Sequence, residues 1–118
     1  MILVVEDHDD LRRMLLSLLE RSGLKAESVA DGEAAMQAMH LVPPQLVLLD
    51  LMIPKKSGWE VRREMLKHSR LRRVPVIIAT GILVRDLKID EMKVAQVMPK
   101  PLNGEDLIGA VRRHMLPE

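Results

Sequence analysis

Gln45-Leu46-Val47-Leu48-Leu49-Asp50-Leu51-Met52-Ile53-Pro54-Lys55-Lys56-Ser57-Gly58 runs from a continuous apolar segment into a carboxylate and then into a loop bearing Pro and Gly. The double proline Pro43-Pro44 breaks the chain just before it. An unbroken apolar run between such a break and an acidic stop suits a strand buried on both faces, its carboxyl end opening into polar surroundings. The same pattern occurs upstream, where Ile2-Leu3-Val4-Val5 halts at Glu6-Asp7, and downstream, where Pro75-Val76-Ile77-Ile78-Ala79 halts at Thr80-Gly81. Two weaker segments complete the set: Lys25 to Val29, polar and peripheral, and Ala95 to Met98, ending at Pro99-Lys100-Pro101.

Between these segments the periodicity changes to that of helices. Leu11, Leu15, Leu18 and Leu19 share one face from Asp10 to Ser22, with Asp9 or Asp10 as the cap and Gly23 as the stop. Glu33 to His40 turns Ala35, Ala38 and Met39 inward, and a third helix runs from about Trp59 to His68. Leu83 to Lys93 has weak periodicity and dense charge, so the fourth helix is expected to be short or irregular. Asn103 caps a last helix through Met115, with Leu107, Ile108, Val111 and Met115 on one face. Buried strands alternating with helices imply parallel pairing. The expectation is a doubly wound five-stranded parallel sheet with helices on both faces.

Composition narrows the function. A chain of 118 residues makes one domain, residues 1–118, large enough to hold a core without staples. The absence of cysteine excludes disulfides and thiolate metal sites. A net charge of +1 gives no general pull on nucleic acid or membrane, and no apolar run is long enough to span a bilayer. Trp59 is the lone aromatic, so nine methionines are expected to fill the core beside Leu, Val and Ile. The basic clusters Arg70-Leu71-Arg72-Arg73 and Arg112-Arg113-His114 read as helix ends and solvated faces, and the four histidines lack metal-ligand spacing.

In open α/β sheets, ligands bind beyond the carboxyl ends of the strands. Here those ends carry Glu6, Asp7, Asp50, Thr80 and Lys100. Singly, each has a commonplace role as turn former, cap or surface charge; their coincidence at equivalent strand ends points to one site. Three clustered carboxylates repel one another unless a cation intervenes, and a hard ion such as Mg²⁺ suits carboxylate, carbonyl and water oxygens. Lys100 adds a compensating charge. Were Asp50 phosphorylated, Lys100 and the metal would neutralise the phosphoryl oxygens, with Thr80 donating to one of them.

Over its whole length the chain resembles the CheY-like receiver domains of two-component response regulators. The matching residues are Val4-Val5-Glu6-Asp7-His8, Leu48 to Gly58, Ile78-Ala79-Thr80-Gly81 and Pro99-Lys100-Pro101. The resemblance implies a flavodoxin-like fold and a cytoplasmic phosphorelay switch that catalyses only its own phosphorylation and dephosphorylation. Asp50 would take phosphate from a phosphohistidine of a sensor histidine kinase or phosphotransfer protein. Asp7, Asp50 and the Met52 carbonyl would bind Mg²⁺, and Glu6 would act through metal-bound water. Thr80 would be the switch hydroxyl and Lys100 the phosphate's partner, with a cis Lys100-Pro101 bond. A homodimer through the fourth helix, last strand and last helix is the further partner implied, with no direct nucleic-acid contact by this domain.

The departures fall on the output side. Where similar domains carry Tyr or Phe, three residues before the lysine, this chain has Val97, and the segment from Thr80 to Val97 is about two residues short. Val94-Ala95 stands for the usual Gly-Ala, and Pro99 stiffens the approach to Lys100. The alternative reading is therefore a receiver-fold docking module that works without phosphate. A haloacid-dehalogenase-like phosphatase would need an acid where Met52 stands, and a dinucleotide fold would need a Gly-rich loop after the first strand.

Overall fold

A computed structural model describes residues 1–81 and 89–118. Among them, strands and helices alternate as β1 (Ile2–Val5), α1 (Asp9–Arg21), β2 (Ala26–Val29), α2 (Gly32–Leu41) and β3 (Leu46–Asp50). They continue as α3 (Gly58–Lys67), β4 (Val76–Thr80), α4 (Ile89–Met92), β5 (Gln96–Pro99) and α5 (Gly104–His114). The strands form one parallel sheet in the order β2-β1-β3-β4-β5. This is the expected doubly wound architecture, and the polar β2 lies at an edge.

Side-chain alternation along the strands sorts the core into two layers. Leu3, Val5, Val47, Leu49 and Ile78 pack with Met39, Val61 and Met65 under α2 and α3. Ile2, Val4, Leu46, Leu48 and Ile77 meet Leu15, Leu19, Leu107 and Val111 under α1 and α5. All residues of β1, β3 and β4 are buried, which is why these strands read as continuous apolar runs. Trp59 is half-buried and packs against the α2–α3 side of the core.

Helix ends follow local chemistry. Asp31, Ser57 and Asn103 cap α2, α3 and α5 by accepting from Ala34, Glu60 and Asp106 N–H groups, and Glu60 completes a capping box. Gly23 takes φ +82° just past α1, where a side chain would be strained. The cap of α1 is His8, not Asp9 or Asp10: its Nδ1 accepts from Leu11 N–H at 3.2 Å, while the two aspartates lie inside the first turn. They pair there with Arg12 and Arg13 and suit the positive helix end.

One further expectation needs adjustment. Met36, Met39, Met65, Met92 and Met98 are core residues, but Met14 and Met52 are exposed, so the methionines are not uniformly filler. The stretch from Leu83 to Lys88 lies outside the described residues, and the fourth helix is described only as the four-residue α4. Met39→Ala is expected to cost about 3 kcal/mol through lost contacts and a cavity, whereas Met14→Ala should stay within about 0.5 kcal/mol. Urea denaturation of both variants checks this; equal midpoints would contradict the assignment of Met39 to the core.

Candidate functional site

The sheet register brings the acidic residues together. Val5 pairs with Leu49, so Glu6 emerges beside Asp50 on the neighbouring strand. Asp50 pairs with Ala79 and Thr80 with Pro99, which sets Thr80 and Lys100 one residue further along β4 and β5. Among the described residues only four polar or charged side chains are buried: Glu6, Asp50, Arg62 and Thr80. Three of the four belong to this edge of the sheet.

Lys100 crosses the edge to bind two carboxylates at once. Its ammonium donates to Glu6 Oε1 at 2.6 Å and to Asp50 Oδ2 at 2.9 Å. Glu6 and Asp50 are only 3% and 7% exposed, so these are charge-assisted bonds in a partly desolvated pocket. Burial alone would lower the Lys100 pKa, but its hydrogen bonds to Glu6 and Asp50 and their charges outweigh that and hold it above the usual lysine value. The Lys100–Pro101 bond is cis, and Lys100 N–H donates to Thr80 O at 2.9 Å.

The remaining carboxylate oxygens are held by backbone groups. Met52 N–H donates to Asp50 Oδ1 at 3.0 Å, and His8 N–H donates to Glu6 Oε2 at 3.1 Å. Asp7 is exposed at the mouth of the pocket. Glu6, Asp7 and Asp50 each offer an oxygen within 4.8 Å of the others, a spacing that fits one hard divalent ion. Behind Asp50, Gly58 opens α3 with its N–H on Leu51 O at 3.0 Å. A Cβ there would sit 2.6 Å from Asp50 O, so only glycine lets the helix start so close to the strand end.

The structure thus gathers Glu6, Asp7, Asp50 and Lys100, and places Thr80, fully buried, at the adjacent strand end. Sequence reasoning missed two supports. His8 fixes the entry to α1 and one Glu6 oxygen, and Arg12 donates to Glu6 O at 3.0 Å while pairing with Asp9 at 2.7 Å. The signal for Arg12 was a cation in an otherwise acidic first helical turn. Hydrogen bonding from Arg12 holds the Asp9 carboxyl below its usual range.

Fold and site define a doubly wound α/β domain with an acidic pocket, bridged by one lysine, at the carboxyl edge of its sheet. Residues 2–112 match the family model of the response regulator receiver domain, and the chain belongs to that family. It is 35% identical over 116 residues to the sensory transduction protein RegX3 of Mycobacterium bovis, covering 94% of this chain and 48% of that protein. It is 36% identical over 110 residues to the probable transcriptional regulator ycf27 of Cyanophora paradoxa, covering 87% of this chain and 45% of that protein. The chain therefore spans about half the length of these relatives.

Solved structures agree on the fold. The signal receiver domain of a signal transduction histidine kinase from Syntrophus aciditrophicus superposes with a TM-score of 0.88 at 30% identity, covering 95% of this chain and 86% of that one. Vibrio cholerae chemotaxis protein CheY4, at 22% identity, shares the fold with a TM-score of 0.90 over 97% of each chain. Among the described residues no helix is long and apolar enough to cross a membrane.

The Lys100 bridge has an alkaline limit. Its folded pKa lies above the unfolded one, so its contribution to stability is fully present below the unfolded lysine pKa of about 10.4 and is lost as pH rises through the folded value. The chain has no Tyr or Cys to titrate nearby. Urea midpoints measured from pH 9 to 12 should fall for the wild type, and a Lys100→Met variant should lack that part of the fall. Parallel profiles would contradict the bridge.

Proposed function

We propose that this receiver domain accepts a phosphoryl group on Asp50 from a phosphohistidine of a sensor histidine kinase or phosphotransfer protein. The observation that carries the reading is the double engagement of Asp50, with one oxygen on Met52 N–H and the other on Lys100 Nζ. A carboxylate so held is oriented before any donor arrives, and phosphoryl transfer depends mostly on positioning and charge neutralisation. A carboxylate oxygen of Asp50 attacks phosphorus, the P–N bond breaks, and its electron pair leaves with the imidazole. Attack by water on phosphorus then breaks the P–O bond to Asp50, returning the carboxylate and releasing inorganic phosphate.

Asp7, Asp50 and the Met52 carbonyl would hold Mg²⁺, which supplies charge neutralisation at the phosphoryl oxygens when bound. Both Glu6 oxygens are already engaged, by Lys100 and by His8 N–H, which suits a role through bound water. Lys100 then exchanges Asp50 for a phosphoryl oxygen, and Thr80 donates to another. The chain works as a cytoplasmic signalling switch, not as an enzyme on a separate substrate, and the face of α4, β5 and α5 offers a contact for a second copy.

Asp50→Asn should abolish labelling by acetyl phosphate or phosphoramidate. Asp31→Asn, which keeps an oxygen to cap α2, should label like wild type. Undiminished labelling of Asp50→Asn would refute the acceptor assignment. Asp7→Ala should lower Mg²⁺ affinity at least ~10-fold by calorimetry, since one of three charges is lost. Unchanged affinity would remove Asp7 from the metal site.

A further inference from the structure

Arg62 is the one buried polar residue, among the described residues, that the acidic pocket does not use. It is 3% exposed, in the middle of α3 beside Val61 and Met65. No carboxylate pairs with it among the described residues. Its guanidinium instead donates to three backbone carbonyls: Nε to Met92 O at 2.8 Å, Nη2 to Lys93 O at 2.8 Å and Nη1 to Val74 O at 3.4 Å. Burial lowers its pKa.

These contacts sit where α4 ends and β5 begins. Lys93 adopts φ +49°, a left-handed turn that a side chain occupies at some cost, and both carbonyls flanking that turn belong to Arg62. Two residues later, Ala95 N–H joins Val76 O at 2.9 Å, and Val97 pairs with Ile78. Arg62 therefore caps α4 from another helix and sets the entry of β5.

The other end of α3 is tied to the acceptor. Gly58 N–H bonds Leu51 O, and the helix start lies so close to Asp50 O that a methyl group would not fit. From Gly58 to Arg62 is one helical turn, a rise of about 6 Å. A rigid turn thus joins the backbone of Asp50 and Leu51 to a fork gripping the turn before β5.

We propose that Arg62 is the positioning residue that couples the acceptor loop to the turn at Lys93 and to β5. This rests on Asp50 being the phosphoacceptor. A displacement of the acceptor loop moves the start of α3, α3 carries Arg62, and Arg62 draws the Met92 and Lys93 carbonyls with it. Lysine cannot reproduce the fork, because an ammonium is a point charge without the planar set of donors.

Backbone amide spectra of Mg²⁺-loaded protein, with and without beryllofluoride as an acyl-phosphate mimic, test this in wild type, Arg62→Lys and Arg62→Met. In the wild type, amides of the acceptor loop and of Lys93, Val94, Ala95 and Val97 should all shift. In the variants the acceptor-loop shifts should persist, while those at Lys93 to Val97 drop about threefold, within the range a coupling residue removes. Arg62→Lys keeps the test available if Arg62→Met does not fold. Full-size shifts at Lys93 to Val97 in Arg62→Lys, or none there in the wild type, would overturn the coupling alone. An acceptor loop that ignores beryllofluoride in the wild type would overturn the phosphoacceptor reading and this proposal with it.

Discussion

Three carboxylates and one ammonium at a sheet edge form the constraint on which the rest of this domain depends. Parallel pairing of β1, β3, β4 and β5 makes strand ends coincide, so Glu6, Asp50, Thr80 and Lys100 are neighbours through register. Glu6 and Asp50 are too buried to be solvated as free anions, and the Lys100 ammonium is shared between them at hydrogen-bond distance. Asp7, exposed at the mouth, is the third carboxylate, so the three carry two negative charges more than one ammonium balances. The pocket is consequently anionic overall and suited to a further cation. Met52 and His8 each donate a backbone N–H to an oxygen of an acidic residue, and Gly58 lets α3 start against the Asp50 backbone.

Much of this was legible in the sequence because strands buried on both faces leave a plain trace. Ile2 to Val5, Leu46 to Leu49 and Val76 to Ala79 could be recognised without any partner, and the residues that stop them are the site. The bounds shifted by a residue, with Asp50 and Thr80 inside their strands, because ladder hydrogen bonds continue past the last apolar side chain. The resemblance to receiver domains rested on these same positions.

What the sequence did not disclose depends on contacts between distant segments. Nothing local marks Arg62 in the sequence, since the carbonyls of Val74, Met92 and Lys93 that receive it lie in other segments. His8 was not recognised as a cap because two aspartates, better cap formers by type, follow it directly. His40 and His68 lie far apart in the chain, yet their rings meet with centroids 4.9 Å apart at the ends of α2 and α3. Met14 escapes the core because its position on α1 faces outward while Leu15 beside it faces in, which composition alone does not show.

Two cationic groups of the domain, one buried and one partly buried, have different duties. Lys100 balances charge where chemistry is expected, and Arg62 binds neutral carbonyls where helix and strand meet. The charge balance at Lys100 is the central claim, and Mg²⁺-dependent stability tests it most directly. Urea midpoints of wild type and Lys100→Met should be compared without Mg²⁺ and at millimolar Mg²⁺. Loss of the ammonium leaves the carboxylates unpaired, so the variant should be less stable than wild type without the ion and gain more from adding it. An equal or smaller gain in Lys100→Met would contradict the account.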